Sequence, residues 1–280
     1  MVKDETMTHP DPMTRLLDIM ARLRDPNGGC PWDLEQDFAS IAPYTIEEAY
    51  EVEEAIRAND MASLKEELGD LLLQTVFHSQ MAAEAGHFTF DDVAAAIGDK
   101  MVARHPHVFG DADIATADAQ TVAWEVQKAK ERAAKAAAKG EKPSVLDGVA
   151  LGLPALVRAI KLQNRAARVG FDWPSTRDVL AKLQEEADEI VAAMESGDDE
   201  HIKEEIGDYL FVVANLSRHL KVDAEEALRA ANAKFTRRFH KIEAWLAEDG
   251  RTPDQSDLAE MDALWDRAKA EDKALKKAAE

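Results

Sequence analysis

Two acidic motifs occur in this chain at a fixed separation, and the whole arrangement occurs twice. Glu47-Glu48-Ala49-Tyr50-Glu51 is followed by Lys65-Glu66-Glu67-Leu68-Gly69-Asp70-Leu71-Leu72. Glu185-Glu186-Ala187-Asp188-Glu189 is followed in the same way by Lys203-Glu204-Glu205-Ile206-Gly207-Asp208-Tyr209-Leu210, and both parts recur at an offset of 138 residues. A matched pair of offsets marks a tandem duplication. Whatever one half folds into, the other must fold into as well, and 280 residues leave room for two domains of about 140 residues each.

The spacing carries the chemistry. Residues three apart on a helix share a face, so Glu48 and Glu51 project together from one helix while Glu67 and Asp70 project together from the next. If the two helices pack antiparallel, four carboxylates converge. Like charges that close need compensation, and all-oxygen ligands suit a hard divalent cation such as Mg²⁺. The plainer alternative is two solvated acidic faces, which would suffice for one EExxE but does not account for two copies in register.

The totals narrow the function. With 34 basic and 55 acidic residues the formal charge is −21, a surface that repels a phosphate backbone at long range, so nucleic acid is not the expected partner. A small anionic substrate stays compatible, because a bound cation reverses the local sign. The lone Cys30 excludes an intrachain disulfide. No apolar run approaches the roughly 18 residues of a membrane span, and Met1-Val2-Lys3-Asp4-Glu5-Thr6 lacks an apolar signal region; a soluble, cytoplasmic protein without membrane contact is expected.

Along the chain the pattern is helical, without sustained alternation. Residues 1–11 read as a disordered lead-in, 12–135 as the first domain, 136–147 as a linker and 148–280 as the second domain. A helix is expected from Pro12, stopped by Asp25-Pro26-Asn27-Gly28-Gly29, and Cys30-Pro31-Trp32-Asp33 reads as a loop, with Trp32 either stacking on a base or, as favoured here, covering the core. Thr45 with Glu48 resembles a capping box, which would tie Glu48 to a helix start. Leu64, Leu68, Leu71, Leu72, Thr75 and Val76 form an apolar stripe bordered by Glu67, Asp70 and Gln74. His105-Pro106-His107 invites a zinc reading, but no further ligand follows at zinc spacing. The second half repeats the plan, with Gly170-Phe171-Asp172-Trp173-Pro174 answering the earlier loop.

A phosphate site needs cations too. Lys100 and Arg104 are answered by Lys234 and Arg238, and Trp124 and Lys128 by Trp265 and Lys269, each pair at a four-residue step and so on one helical face. Lys and Arg neutralise phosphate charge, and Trp can cover a base or ribose. A solvated basic helix end explains any one pair; recurrence beside the carboxylates favours function.

These motifs, with the GCPWD and HPHVF segments, resemble the MazG family of the all-α nucleoside triphosphate pyrophosphatase superfamily, over residues from about Met13 to Lys269. The resemblance implies an all-α fold of two tandem helical-bundle domains and Mg²⁺-dependent cleavage between the α- and β-phosphates of NTPs or dNTPs, for house-cleaning or pool control. It implies that Glu48, Glu51, Glu67 and Asp70, and again Glu186, Glu189, Glu205 and Asp208, are metal ligands, the second set being catalytic. It also implies that Lys182, Lys234, Arg238, Trp265 and Lys269 contact the nucleotide, with Lys128 a further candidate and Lys100, Arg104 and Trp124 a second set. Broad apolar stripes on short helical units suggest a homodimer. A narrower substrate, such as dUTP or a phosphoribosyl-nucleotide, and a non-catalytic acidic interaction module are the alternatives.

Overall fold

The computed structural model describes residues 11–112, 114, 116–140 and 142–279. The expected lead-in therefore lies outside the described residues except for Asp11, whose carboxylate caps the first helix by accepting from the Thr14 N–H. Among the described residues the regular structure is entirely helical. The chain divides into two compact units after Gln127.

The first unit contains α1 (Pro12–Leu23), α2 (Pro31–Glu35), α3 (Phe38–Ala58), α4 (Met61–Glu84), α5 (Phe90–Arg104) and α6 (Pro106–Phe109). A long α7 (Ala117–Lys139) crosses the division, so the first four positions of the expected 136–147 linker are helical. The core lies where α1 meets the α3–α4 pair: Met20, Ile41, Val76, Phe77 and Met81 are buried, with Leu16, Leu17, Leu73 and Phe90 packed against them. The second unit contains α8 (Ala155–Ala167), α9 (Thr176–Ser196), α10 (Asp199–His219), α11 (Ala224–Glu248), a 3-10 turn (Pro253–Gln255) and α12 (Leu258–Ala279). Here α8 packs on α10 and α11, and the Gln163 side-chain amide donates to the Phe211 carbonyl at 2.8 Å.

Both carboxylate hairpins turn by the same device. α3 ends at Asn59 in the left-handed conformation (φ 54°), and Asp60 then accepts from the N–H groups of Ala62 and Ser63 to start α4. α9 ends at Gly197 (φ 71°), and Asp198 accepts from Glu200 and His201 to start α10. A left-handed residue followed at once by an N-cap reverses the chain in two residues. The end of one helix is thereby held against the start of the next.

Three local expectations are corrected. Thr45 is not an N-cap: α3 begins seven residues earlier, where Asp37 and Ser40 form a reciprocal capping box. Pro43 lies inside this helix at the loss of one backbone hydrogen bond, and the burial of Ile41 to 2% exposure offsets that loss. The Cys30–Asp33 segment is not a loop throughout, since Pro31 opens α2. Gly29 is required just before it, because a Cβ there would stand 2.3 Å from the Leu23 carbonyl oxygen. Finally, Trp32 does not cover the core: it is 51% exposed.

Candidate metal and nucleotide site

The hairpins bring three of the four expected carboxylates together in each half. In the first, oxygens of Glu48 on α3 and of Glu67 and Asp70 on α4 all lie within 4.8 Å of one another; in the second, Glu186 on α9 and Glu205 and Asp208 on α10 do the same. Among the described residues these are the two such groups of acidic, histidine or cysteine side chains. His105 and His107 therefore gain no third ligand. The fourth carboxylate of each set, Glu51 or Glu189, stands beside its trio rather than in it.

The two trios differ in what balances their charge. In the first, the Glu48 carboxyl is raised above its ordinary pKa by burial and then by Asp70, Glu51 and Glu67 around it. Glu67 is raised as well, by desolvation and by the charges of Glu51, Asp70 and Glu66. In the second, a cation is built in. Lys182 Nζ sits 2.8 Å from both Glu185 and Glu186 and 3.7 Å from Glu189. Hydrogen bonds to Glu185 and Glu186 push its pKa upward, so it stays charged. At the 138-residue offset the first half has Tyr44 in that place.

The residues fit a divalent cation. Carboxylate oxygens are its preferred donors, and Glu186, only 4% exposed, leaves Oε2 buried without a hydrogen-bond partner. Glu186 Oε1 is held by Lys182 while Oε2 has nothing. A buried carboxylate oxygen without a donor is costly, and a metal ion satisfies it. Glu205 is steadied by His201, one turn earlier on α10, whose Nε2 lies 3.0 Å from Oε1. That contact was missed in the sequence, although a His at i−4 from a ligand is its signal.

The basic candidates gather elsewhere. Lys234 and Arg238 on α11 and Trp265 and Lys269 on α12 belong to one packed helix pair. Arg238 lies over the Trp265 ring, 5.5 Å from its centroid, and its Nε donates to Asp272 at 2.8 Å. Lys269 pairs with Asp266 at 2.8 Å, and Lys234 is exposed. Asp272, which also takes Lys241, has its pKa lowered chiefly by the Arg238 hydrogen bond; nothing in the spacing of Lys234 and Arg238 announced this partner from α12. In the first unit, Trp124 donates its indole N–H to the Arg104 carbonyl at 3.1 Å and meets the His105 ring edge-on. Lys100 is exposed on α5, and Lys128 follows Trp124 by one turn just past the unit division.

The family model described as the MazG nucleotide pyrophosphohydrolase domain matches this chain twice, over residues 36–109 and 175–242. The chain belongs to the MazG family. Both matches contain a complete carboxylate set, whereas Trp124, Lys128, Trp265 and Lys269 lie beyond them. A nucleoside triphosphate pyrophosphohydrolase of Escherichia coli (strain K12) is 48% identical over 260 residues, covering 92% of this chain and 97% of its own. The nucleoside triphosphate pyrophosphohydrolase/pyrophosphatase MazG of Thermotoga maritima is 42% identical over 257 residues, covering 92% and 95%. A nucleoside triphosphate pyrophosphohydrolase of Mycolicibacterium smegmatis is 32% identical over 260 residues, 68% of its length. The family match and the all-helical tandem arrangement bear out the resemblance drawn from the motifs.

Proposed function

We infer that this enzyme hydrolyses nucleoside triphosphates, NTPs and dNTPs alike, between the α- and β-phosphates, releasing a monophosphate and pyrophosphate with Mg²⁺ as cofactor. The observation that carries this reading is the pair of carboxylate trios at equivalent places in the two hairpins, within the stretches that match a pyrophosphohydrolase domain. The names of the Escherichia coli and Thermotoga maritima relatives support the same activity.

Glu186, Glu205 and Asp208 would hold the ion, with Glu48, Glu67 and Asp70 as their counterparts. When bound, Mg²⁺ supplies charge neutralisation at the phosphate oxygens and a more acidic water. Glu189 stands beside the trio with 45% of its side chain exposed and would accept a proton from an attacking water. Lys182 carries a positive charge among the same acids and can exchange a carboxylate for a phosphate oxygen. Arg238 can exchange Asp272 in the same manner, and Trp265 beneath it offers a ring face. Lys234, Lys269 and Lys128 add charge for the triphosphate.

The second half is the principal site, because its trio has a resident cation and a buried unsatisfied ligand oxygen. Two copies pair as a homodimer. Leu68 and Leu72 on α4 are 50% and 40% exposed, and their counterparts Ile206 and Leu210 on α10 are 45% and 51% exposed. Part of the apolar stripe is thus uncovered at matching positions in both halves, and a second helical surface would bury it. No helix among the described residues is long and apolar enough to cross a membrane.

Product identification tests the reading. Each of several NTPs and dNTPs with Mg²⁺ is expected to give monophosphate and pyrophosphate, and Glu189→Ala is expected to abolish turnover where Glu51→Ala leaves most of it. Release of orthophosphate would refute the bond assignment, and equal loss from both substitutions would refute the dominance of the second half.

A further inference from the structure

One polar strip of the first unit has no counterpart in the second. Asp70, Gln74 and His78 follow one another at four-residue steps on α4 and share the face turned to α3. At one end Asp70 joins Glu48 in the carboxylate trio; at the other, His78 Nε2 lies 3.1 Å from the Thr45 hydroxyl. Gln74 stands between these two contacts. It is 9% exposed, and its Oε1 is buried without a hydrogen-bond partner. At the 138-residue offset the corresponding residues are Val212, Leu216 and Leu183, and Val212 is buried. The same place in the same hairpin is therefore closed by apolar side chains when nothing polar is needed there. In the first unit a buried carboxamide oxygen is left unsatisfied, a costly state that calls for a use.

Aromatic rings flank that strip in the first unit; of the three, the second unit keeps only Trp173, in the loop that answers Trp32. Phe38 lies parallel to the His78 ring at 5.9 Å, with an interplanar angle of 2°. Tyr44, one turn before Glu48 on α3, meets Trp32 edge-on at 6.4 Å. Phe38, Tyr44 and Trp32 are all more than 40% exposed. At the same offset the second unit has Thr176 for Phe38 and Lys182 for Tyr44. Exposed ring faces beside a carboxylate trio suit a planar heterocycle. A carboxamide, which offers a donor and an acceptor side by side, suits the edge of that heterocycle. Burial lowers the His78 pKa, which keeps the imidazole neutral and able to share a proton with Thr45.

We propose that Gln74, with Thr45, His78, Phe38, Tyr44 and Trp32, forms a nucleobase subsite attached to the first carboxylate trio, so that the first half binds a nucleotide of its own and selects it by base. This rests on the reading of that trio as a metal-phosphate site. The phosphates lie at Glu48, Glu67 and Asp70, and the base lies along α4 toward His78. The second half, with Lys182 and an apolar strip, makes no such selection at these positions.

The test uses the full-length chain with its second trio disabled by Glu186→Gln and Glu205→Gln. Probes are inorganic tripolyphosphate and the α,β-methylene analogues of four nucleoside triphosphates, each with Mg²⁺, and binding is read by calorimetry. Tripolyphosphate is expected to bind, and the preferred analogue to bind at least tenfold tighter. Gln74→Val, the residue type the second half uses there, should bring the preferred analogue to within about threefold of the others without changing tripolyphosphate, with helicity checked by circular dichroism. Trp32→Leu changes an exposed side chain and does not threaten folding; it should weaken every analogue about fivefold or more and leave tripolyphosphate alone. Analogues that bind no tighter than tripolyphosphate, or a base ranking that survives both substitutions, would overturn the subsite while leaving the phosphate site standing. Absence of tripolyphosphate binding would overturn the phosphate reading of the first half, and the subsite with it.

Discussion

Replacement of Glu186 by Gln separates a metal ligand from a structural acid, because the two roles change stability in opposite ways. In the metal-free protein Glu186 Oε1 accepts from Lys182 at 2.8 Å, while Oε2 is buried without a partner. Glu186→Gln gives up a charge-assisted hydrogen bond worth about 1.5–3 kcal/mol but keeps a neutral one, and Lys182 keeps Glu185 at 2.8 Å. It also replaces the buried unsatisfied oxygen by an NH2 group that can donate to the neighbouring Glu205 or Asp208 carboxylate, relieving a cost of about 1–3 kcal/mol. These terms nearly cancel, so the metal-free variant should lie within about 1 kcal/mol of the parent. With Mg²⁺ the two diverge. An ion present at about 100 times its dissociation constant stabilises its site by about 2.7 kcal/mol, or roughly 5–11 °C in Tm for a unit of this size. Thermal unfolding with EDTA and with Mg²⁺ is the assay, with Glu48→Gln in the background of both proteins so that the first trio adds no shift of its own: the melting temperature rises where Glu186 is kept and not where it is Gln, and turnover falls at least about 100-fold. A variant that loses several kcal/mol without metal yet keeps its Mg²⁺ shift would refute the argument and make Glu186 a structural partner of Lys182.

Three further outcomes follow from contacts in the structure. Lys182→Ala removes the cation among Glu185, Glu186 and Glu189, so Mg²⁺ affinity should rise while kcat falls at least about tenfold; a parallel loss of both in calorimetry and steady-state kinetics would contradict that division. Glu260 is held to a pKa of about 2 by Arg251 and then by Ser256, below its ordinary 4.5. Its contribution to stability is therefore full above about pH 5 and lost as pH falls toward 2. The Tm difference between parent and Glu260→Gln should shrink over that window, and a difference independent of pH would exclude the linkage. Leu72→Asp and Leu210→Asp place charge on the uncovered stripe and should shift sedimentation toward the monomer; an unchanged sedimentation coefficient for both variants would remove these residues from the dimer interface.

The duplicated acidic motifs made the helical hairpins legible, because three-residue spacing and helix periodicity act locally. The Asn59-Asp60 and Gly197-Asp198 turns could be read for the same reason: a left-handed residue and an N-cap need no partner beyond the next few residues. The start of α3 could not be read in that way. Pro43 and Thr45 carry a local helix-start signal, and it is overridden by the burial of Ile41 against Met20 and Val76, residues from two other helices. The apolar stripe on α4 was visible, but periodicity does not say that Val76 would be covered and Leu72 left open.

Sequence by itself determined the tandem all-α plan and which carboxylates share a face on each helix of the two hairpins, since both follow from residue identity at helical spacing. Only the tertiary structure decided which carboxylates meet. Glu48, Glu67 and Asp70 converge with Glu51 at their side, and Glu186, Glu205 and Asp208 converge with Lys182 bound among their neighbours. It likewise decided that Arg238 is held by Asp272 and that Gln74 lies buried between Asp70 and the Thr45–His78 contact. Spacing places a side chain on a face; packing sets what stands opposite that face, and with it charge balance and burial.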